Sequence, residues 1–175
     1  MKYFKLFAFL AFAVAMALLF TNCSEGKEGP EQEKEYVSSN MKFNFDYSGN
    51  FYELVDLDFQ IYINNVKAKN VKEDKSEGNI NFEVGGIPSL ANIKVYLTRT
   101  RNSAAIDTSK KYNSSTLPSF TVTRCFNDGT TEDGGTVTVN ADSFSNYDSN
   151  QVEEYINNYD VSTYSIDLDS TGAIM

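Results

Sequence analysis

The chain has 175 residues, with 15 basic against 24 acidic side chains, a formal net charge of -9 and no histidine. So acidic a surface repels nucleic acid and anionic bilayers, which sets nucleic acid aside as a partner. Without histidine, the commonest proton-transfer group and the commonest zinc, copper and haem ligand are missing, and a Cys-His catalytic pair is impossible.

At the amino terminus, Lys2 and Lys5 precede Leu6 to Phe20, an apolar run of 15 residues without charge or proline. Such a run is shorter than the ~20 residues that cross a bilayer core and has the length of a secretory h-region. The run ends in Phe20-Thr21-Asn22-Cys23-Ser24-Glu25. This junction resembles the lipobox of bacterial lipoproteins, with Phe20 in place of the usual aliphatic residue and Asn22 in place of a smaller one. The resemblance implies that residues 1–22 are a lipoprotein signal peptide and that Cys23 receives fatty acyl groups such as palmitate. It further implies a membrane partner through that anchor, in the cell envelope as a Gram-negative outer-membrane lipoprotein, with cell-surface exposure signalled by Ser24 and the early acids. Simple secretion is the competing reading, because Ala13-Val14-Ala15 and Ala15-Met16-Ala17 both fit an A-x-A site. Under lipidation Cys125 is left alone, whereas under simple secretion Cys23 and Cys125 can pair.

Residues 23–40 carry Glu25, Glu28, Glu31, Glu33 and Glu35 with Gly26, Gly29 and Pro30, and so read as a flexible acidic tether. Loss of residues 1–22 removes Lys2, Lys5 and no acid, leaving 13 basic against 24 acidic groups. Residues 41–175 have the length of a single domain.

Beyond the tether, apolar residues recur with a period of two, the mark of half-buried strands. Met41, Phe43, Phe45 and Tyr47 form one set, and Val55, Leu57, Phe59, Ile61 and Ile63 alternate with Asp56, Asp58, Gln60 and Tyr62. Ile80, Phe82 and Val84 continue the pattern, followed by Ile93, Val95 and Leu97, by Phe120 and Val122, by Val137 and Val139, and by Tyr164, Ile166 and Leu168. Ser48-Gly49-Asn50 separates the first two runs as a hairpin would, Asn64-Asn65 suits a two-residue turn with positive φ leading into Val66 to Val71, and Asp128-Gly129 and Gly134-Gly135 fall in a loop before Thr136. Seven or eight strands so arranged predict an all-β, antiparallel β-sandwich of immunoglobulin-like architecture, with a small β-barrel as the alternative. One helix interrupts the pattern between Asp148 and Asn158. Asp148 and Gln151 are spaced as a capping box, and Val152, Tyr155, Ile156 and Tyr159 form its apolar stripe. Tyr147, Tyr155, Tyr159 and Tyr164 are expected to cluster as core.

Candidate chemistry is sparse. Asp46, Asp56 and Asp58 share a polar face if the first two runs pair, and with Glu53 they are the acids of a carboxylate-dependent hydrolase reading. Asp167-Leu168-Asp169-Ser170-Thr171-Gly172 matches the first half of a calcium loop, and Asp128 and Asp133 make a second acidic stretch, so calcium is the one metal the sequence hints at. No other cofactor is implied. Arg99, Arg101, Lys110 and Lys111 fall in a 19-residue connection from Arg99 to Leu117 opposed by Asp107 alone. A long basic loop on an acidic protein is the candidate binding loop. These features predict a non-enzymatic, membrane-anchored binding or adhesion module for an extracellular glycan or protein. The runner-up is a lipocalin-like carrier with a cavity lined by Phe43, Phe59, Phe82 and Val95.

Overall fold

The computed structural model describes residues 33–73, 76–87, 90–158 and 161–175, so the leader, Cys23 and Tyr159 lie outside the described residues. Ten strands run in chain order: β1 (Tyr36–Ser48), β2 (Val55–Ile63), β3 (Val66–Glu73), β4 (Glu77–Val84), β5 (Leu90–Arg101), β6 (Tyr112–Thr116), β7 (Ser119–Phe126), β8 (Thr131–Thr138), β9 (Asp142–Tyr147) and β10 (Val161–Asp169). A 3-10 turn covers Asn50–Leu54, and helix α1 spans Ser149–Asn158. One sheet has the order β8-β7-β1-β6-β9, with β4 on the other side of β1; the second has the order β10-β5-β2-β3. Their pairings are antiparallel, and the two sheets form a sandwich without barrel closure.

Period-two alternation builds the core between the sheets. Phe59 on β2 meets Phe43 and Phe45 on β1 at ring-centroid distances of 5.9 and 4.7 Å, and Phe43 meets Phe120 on β7 at 5.0 Å. Phe43, Phe59 and Val95 have no exposed surface, and Phe82 packs against the same cluster. Each fully buried large apolar side chain contributes about 1.5–3 kcal/mol. The residues expected to line a carrier's cavity therefore fill the space between the sheets.

Three connections differ from expectation. Gly49, at φ 111, and the 3-10 turn carry the chain from β1 in one sheet to β2 in the other, so the first two runs are not a hairpin. β1 starts at Tyr36, which places residues 36–40 in a strand and not in the tether. Gly134 and Gly135 lie within β8, where a bulge opposite Val122 and Thr123 sets them; a Cβ on Gly134 would lie 2.6 Å from Val122 Cγ1. By contrast, Asn64 and Asn65 take φ of 50 and 65 and close the β2–β3 turn as the sequence predicts. Asp148 caps α1 reciprocally with Gln151: each backbone N–H donates to the other's side chain at 3.0 Å. Val152 and Ile156 are the buried residues of that helix.

Candidate functional site

The expected basic loop is split by the fold. Arg99 and Arg101 are strand residues of β5, and the connection to β6 covers residues 102–111 only. Arg99 follows Ala91, Ile93, Val95 and Leu97 on the inward face, is 3% exposed, and donates through Nη1 to Ser162 Oγ at 2.8 Å. Arg101 spends its guanidinium on backbone carbonyls, Leu54 O at 2.9 Å and Ala104 O. Lys110 and Lys111 remain exposed. The loop itself is tied down from within, Tyr112 Oη accepting from the Asp107 amide at 2.8 Å and Asn50 Nδ2 donating to Lys111 O at 2.9 Å. The fold thus separates two structural arginines from two solvated lysines.

The calcium candidates are likewise committed to their own turns. Asp128 Oδ1 accepts from the Thr130 hydroxyl and amide at 2.6 and 2.9 Å, Asp133 Oδ1 from the Gly135 amide at 2.8 Å, and Asp167 Oδ1 from Asn92 Nδ2 at 2.8 Å. Asp169 Oδ1 accepts from the Thr171 hydroxyl at 2.7 Å and from the amides of Thr171 and Ala173. The Thr130 and Thr171 hydroxyls, reinforced by those amides, hold the Asp128 and Asp169 carboxyls below the usual carboxylate range. Among the described residues no three acidic or cysteine side chains converge as a metal site would require.

The tyrosines expected to cluster divide between two places. Tyr147 and Tyr155 pack with Phe144 and, for Tyr155, with Phe51 beside α1; Tyr164 lies in the sandwich against Phe43 at 5.6 Å. Cys125 is half-buried and its Sγ accepts from Asn40 Nδ2 at 3.3 Å.

The best-formed surface is the outer face of the β10-β5-β2-β3 sheet. Because Leu57, Phe59 and Ile61 point inward, Asp56, Asp58, Gln60 and Tyr62 point outward, and on β5 the outward set is Lys94, Tyr96, Thr98 and Thr100. The antiparallel register lays these side chains in rows: Asp58 beside Thr98 and Lys72, Gln60 beside Tyr96 and Asn70, and Tyr62 beside Lys94 and Lys67. Tyr62 and Tyr96 pack edge to face, with centroids 5.3 Å apart and planes at 87°, so the two rings form a corner above the sheet.

Around this corner Gln60, Asn65 and Thr98 complete an open depression of about 450 Å³. A separate depression of about 570 Å³, toward the start of β2, is lined by Asp56, Leu57, Asp58, Lys72, Glu73 and Thr100. Tyr62 Oη and Lys67 Nζ both donate to Gln60 Oε1, at 3.3 and 3.1 Å, which leaves the amide nitrogen of Gln60 to donate elsewhere. Asp58 Oδ1 is shielded from water and has no hydrogen-bond partner. Asp46 is not part of this surface, because β1 belongs to the other sheet. A third depression, of about 490 Å³ on that other sheet, has Phe82 as its aromatic residue, and Phe82 packs against the core.

Sequence reasoning put Tyr62 on the polar face of β2 but drew nothing from it. The available signal was an aromatic residue at two polar positions, Tyr62 and Tyr96, since alternation alone calls for solvated side chains there. No family model, curated protein or solved structure matches the chain.

Proposed function

We propose that this protein is a non-enzymatic, envelope-anchored binding module whose ligand is a glycan held on the outer face of the β10-β5-β2-β3 sheet. The observation that carries the reading is the Tyr62–Tyr96 corner, set among Gln60, Asn65 and Thr98. A pyranose ring presents apolar C–H faces and a rim of hydroxyls; half-buried tyrosine rings match the former, and amide, hydroxyl and carboxylate groups match the latter. The sheet supplies a rigid support, which lowers the ordering cost of binding. The open depression suits part of a chain better than an enclosed small molecule.

Anchoring rests on the leader and on Cys23, whose acyl chains would contribute about 0.8 kcal/mol per buried CH₂.

The test is an array of neutral and acidic oligosaccharides probed with the soluble protein from residue 24 onward, beside the Tyr62→Ala and Tyr96→Ala variants. Wild type binds a subset of glycans, and each variant loses roughly tenfold or more in affinity, about 1.4 kcal/mol, with an unchanged far-ultraviolet spectrum. Absence of any glycan binding, or variants that bind as well as wild type, refutes the reading. Incorporation of labelled palmitate that disappears in Cys23→Ser tests the anchor separately.

A further inference from the structure

Two cationic side chains of the sheet face, Lys67 and Lys94, stand beside the tyrosine corner. The chain carries 24 acidic residues, yet Lys67 and Lys94 form no ion pair among the described residues; the ion pairs there are Lys34–Glu132 and Arg124–Glu132. Lys67 Nζ donates to Gln60 Oε1 at 3.1 Å and Lys94 Nζ to Asn65 Oδ1 at 3.3 Å, both neutral amides that leave the charge uncompensated.

Both lysines flank the same aromatic ring. Tyr62 is in register with Lys94 on β5 and with Lys67 on β3, so the two lysines stand on either side of it, about 10 Å apart at the usual spacing of neighbouring strands. Lys67 owes its place to a bulge. The register steps from Ile61↔Lys69 to Tyr62↔Lys67, with Ala68 as the extra residue. In a regular strand Lys67 and Lys69 would share a face. Here Lys69 reaches Asn81 O of β4, in the other sheet, at 2.7 Å, while Lys67 joins Gln60 on the outer face. Bulges re-aim side chains in this way beside functional sites.

We infer that the glycan is acidic, and that Lys67 and Lys94 select a uronate carboxylate seated against Tyr62. The inference rests on the glycan reading above and adds the charge of the ligand to it. Ammonium groups whose hydrogen-bond partners are neutral amides remain able to attract an anion, and each can donate a charge-assisted hydrogen bond to a carboxylate oxygen. Asp167, on the outer face of β10 at the lysine end, accepts from Asn92 Nδ2 at 2.8 Å, whereas Asp56, Asp58 and Glu73 lie toward the opposite end of β2, with Lys72 opposite Asp58. They would orient the ligand by repelling its carboxylates from that end.

The experiment is calorimetric titration of tetrasaccharides of galacturonate, mannuronate and guluronate, each against its fully methyl-esterified, uncharged form, into wild type and Lys67→Ala/Lys94→Ala. At least one free acid binds wild type tenfold or more tightly than its ester, and the double variant loses that preference while keeping its affinity for the ester. Lys67→Arg/Lys94→Arg retains the preference, and raising the salt concentration weakens the acid alone. Esters binding as tightly as acids would overturn the inference and leave the glycan reading standing. So would a preference that survives the double variant. Failure of all acids and esters on protein that also binds nothing on the array would sink both.

Discussion

Ser39 Oγ donates a hydrogen bond to the carbonyl of Gly172 at 3.1 Å, joining the first strand to the turn after the last one across 133 positions of sequence. Ser39 is fully buried and its hydroxyl also bonds Tyr36 Oη at 3.0 Å. Gly172 sits at φ +76, and a Cβ there would lie 2.5 Å from Ser39 Oγ and collide with the Tyr36 ring. This turn therefore closes the sandwich only with glycine.

Gly172→Ala must adopt a left-handed conformation and displace buried neighbours. The expected loss is about 2–4 kcal/mol of unfolding free energy, read as a lower urea midpoint with an unchanged slope. A loss below about 0.5 kcal/mol would show that the turn is not closed as described.

Arg99 and the loop lysines should respond oppositely to truncation. Arg99→Ala removes a buried guanidinium that bonds Ser162 and packs among Tyr52, Tyr155 and Tyr164, and should cost about 2–4 kcal/mol. Lys110→Ala and Lys111→Ala, both exposed, should stay within about 0.5 kcal/mol of wild type in the same denaturation assay. Equal effects would contradict the inward placement of Arg99.

Alkaline pH should destabilise the fold. Burial pushes the Tyr47 hydroxyl far above its ordinary value of 10.0, and burial shifts Tyr52 and Tyr155 the same way. Because these pKa values are raised on folding, the unfolded chain loses its protons first. The stabilising contribution is complete below about pH 10 and is lost as the pH rises from there toward the folded-state values. Thermal melts should be level from about pH 7 to 9 and fall steadily above about pH 10, with a shallower fall in Tyr47→Phe. A melting temperature that stays constant up to about pH 11.5 would rule this out.

The cap of α1 is separable from the core. Asp148→Ala removes the acceptor for the Gln151 amide and should cost about 1 kcal/mol, whereas Gln151→Ala should cost less, because the Asp148 amide it leaves is exposed to water. Chemical denaturation of the two variants checks the order.

How much of this was legible in the residues depended on which side chains faced inward. Alternation located β2, β5 and β10 because their buried positions are apolar, as with Leu57, Phe59 and Ile61. It missed β6, whose buried face is Tyr112, Ser114 and Thr116, and the start of β1, whose buried residues include Ser38 and Ser39. A hydroxyl satisfied by a distant partner is indistinguishable in sequence from one bound to water. Arg99 misled in the same way: a charged residue beyond an apolar run reads as loop, and its inward position is supported by a bond to Ser162 and by the neighbouring tyrosines.

By itself, then, the amino-acid order determined the all-β class, the Asn64-Asn65 turn and the capped helix, since each follows from interactions within a few residues: side-chain alternation, φ preference and a capping box. Tertiary structure alone decided that β1 and β2 part into different sheets, that Lys67 and Lys94 bracket Tyr62, and that Tyr96 meets Tyr62 at a right angle. Except for Lys67, which reaches Tyr62 across the β2–β3 turn, those relationships depend on residues far apart in the chain. They are set by which strands pair and where a bulge falls, which local propensity does not encode.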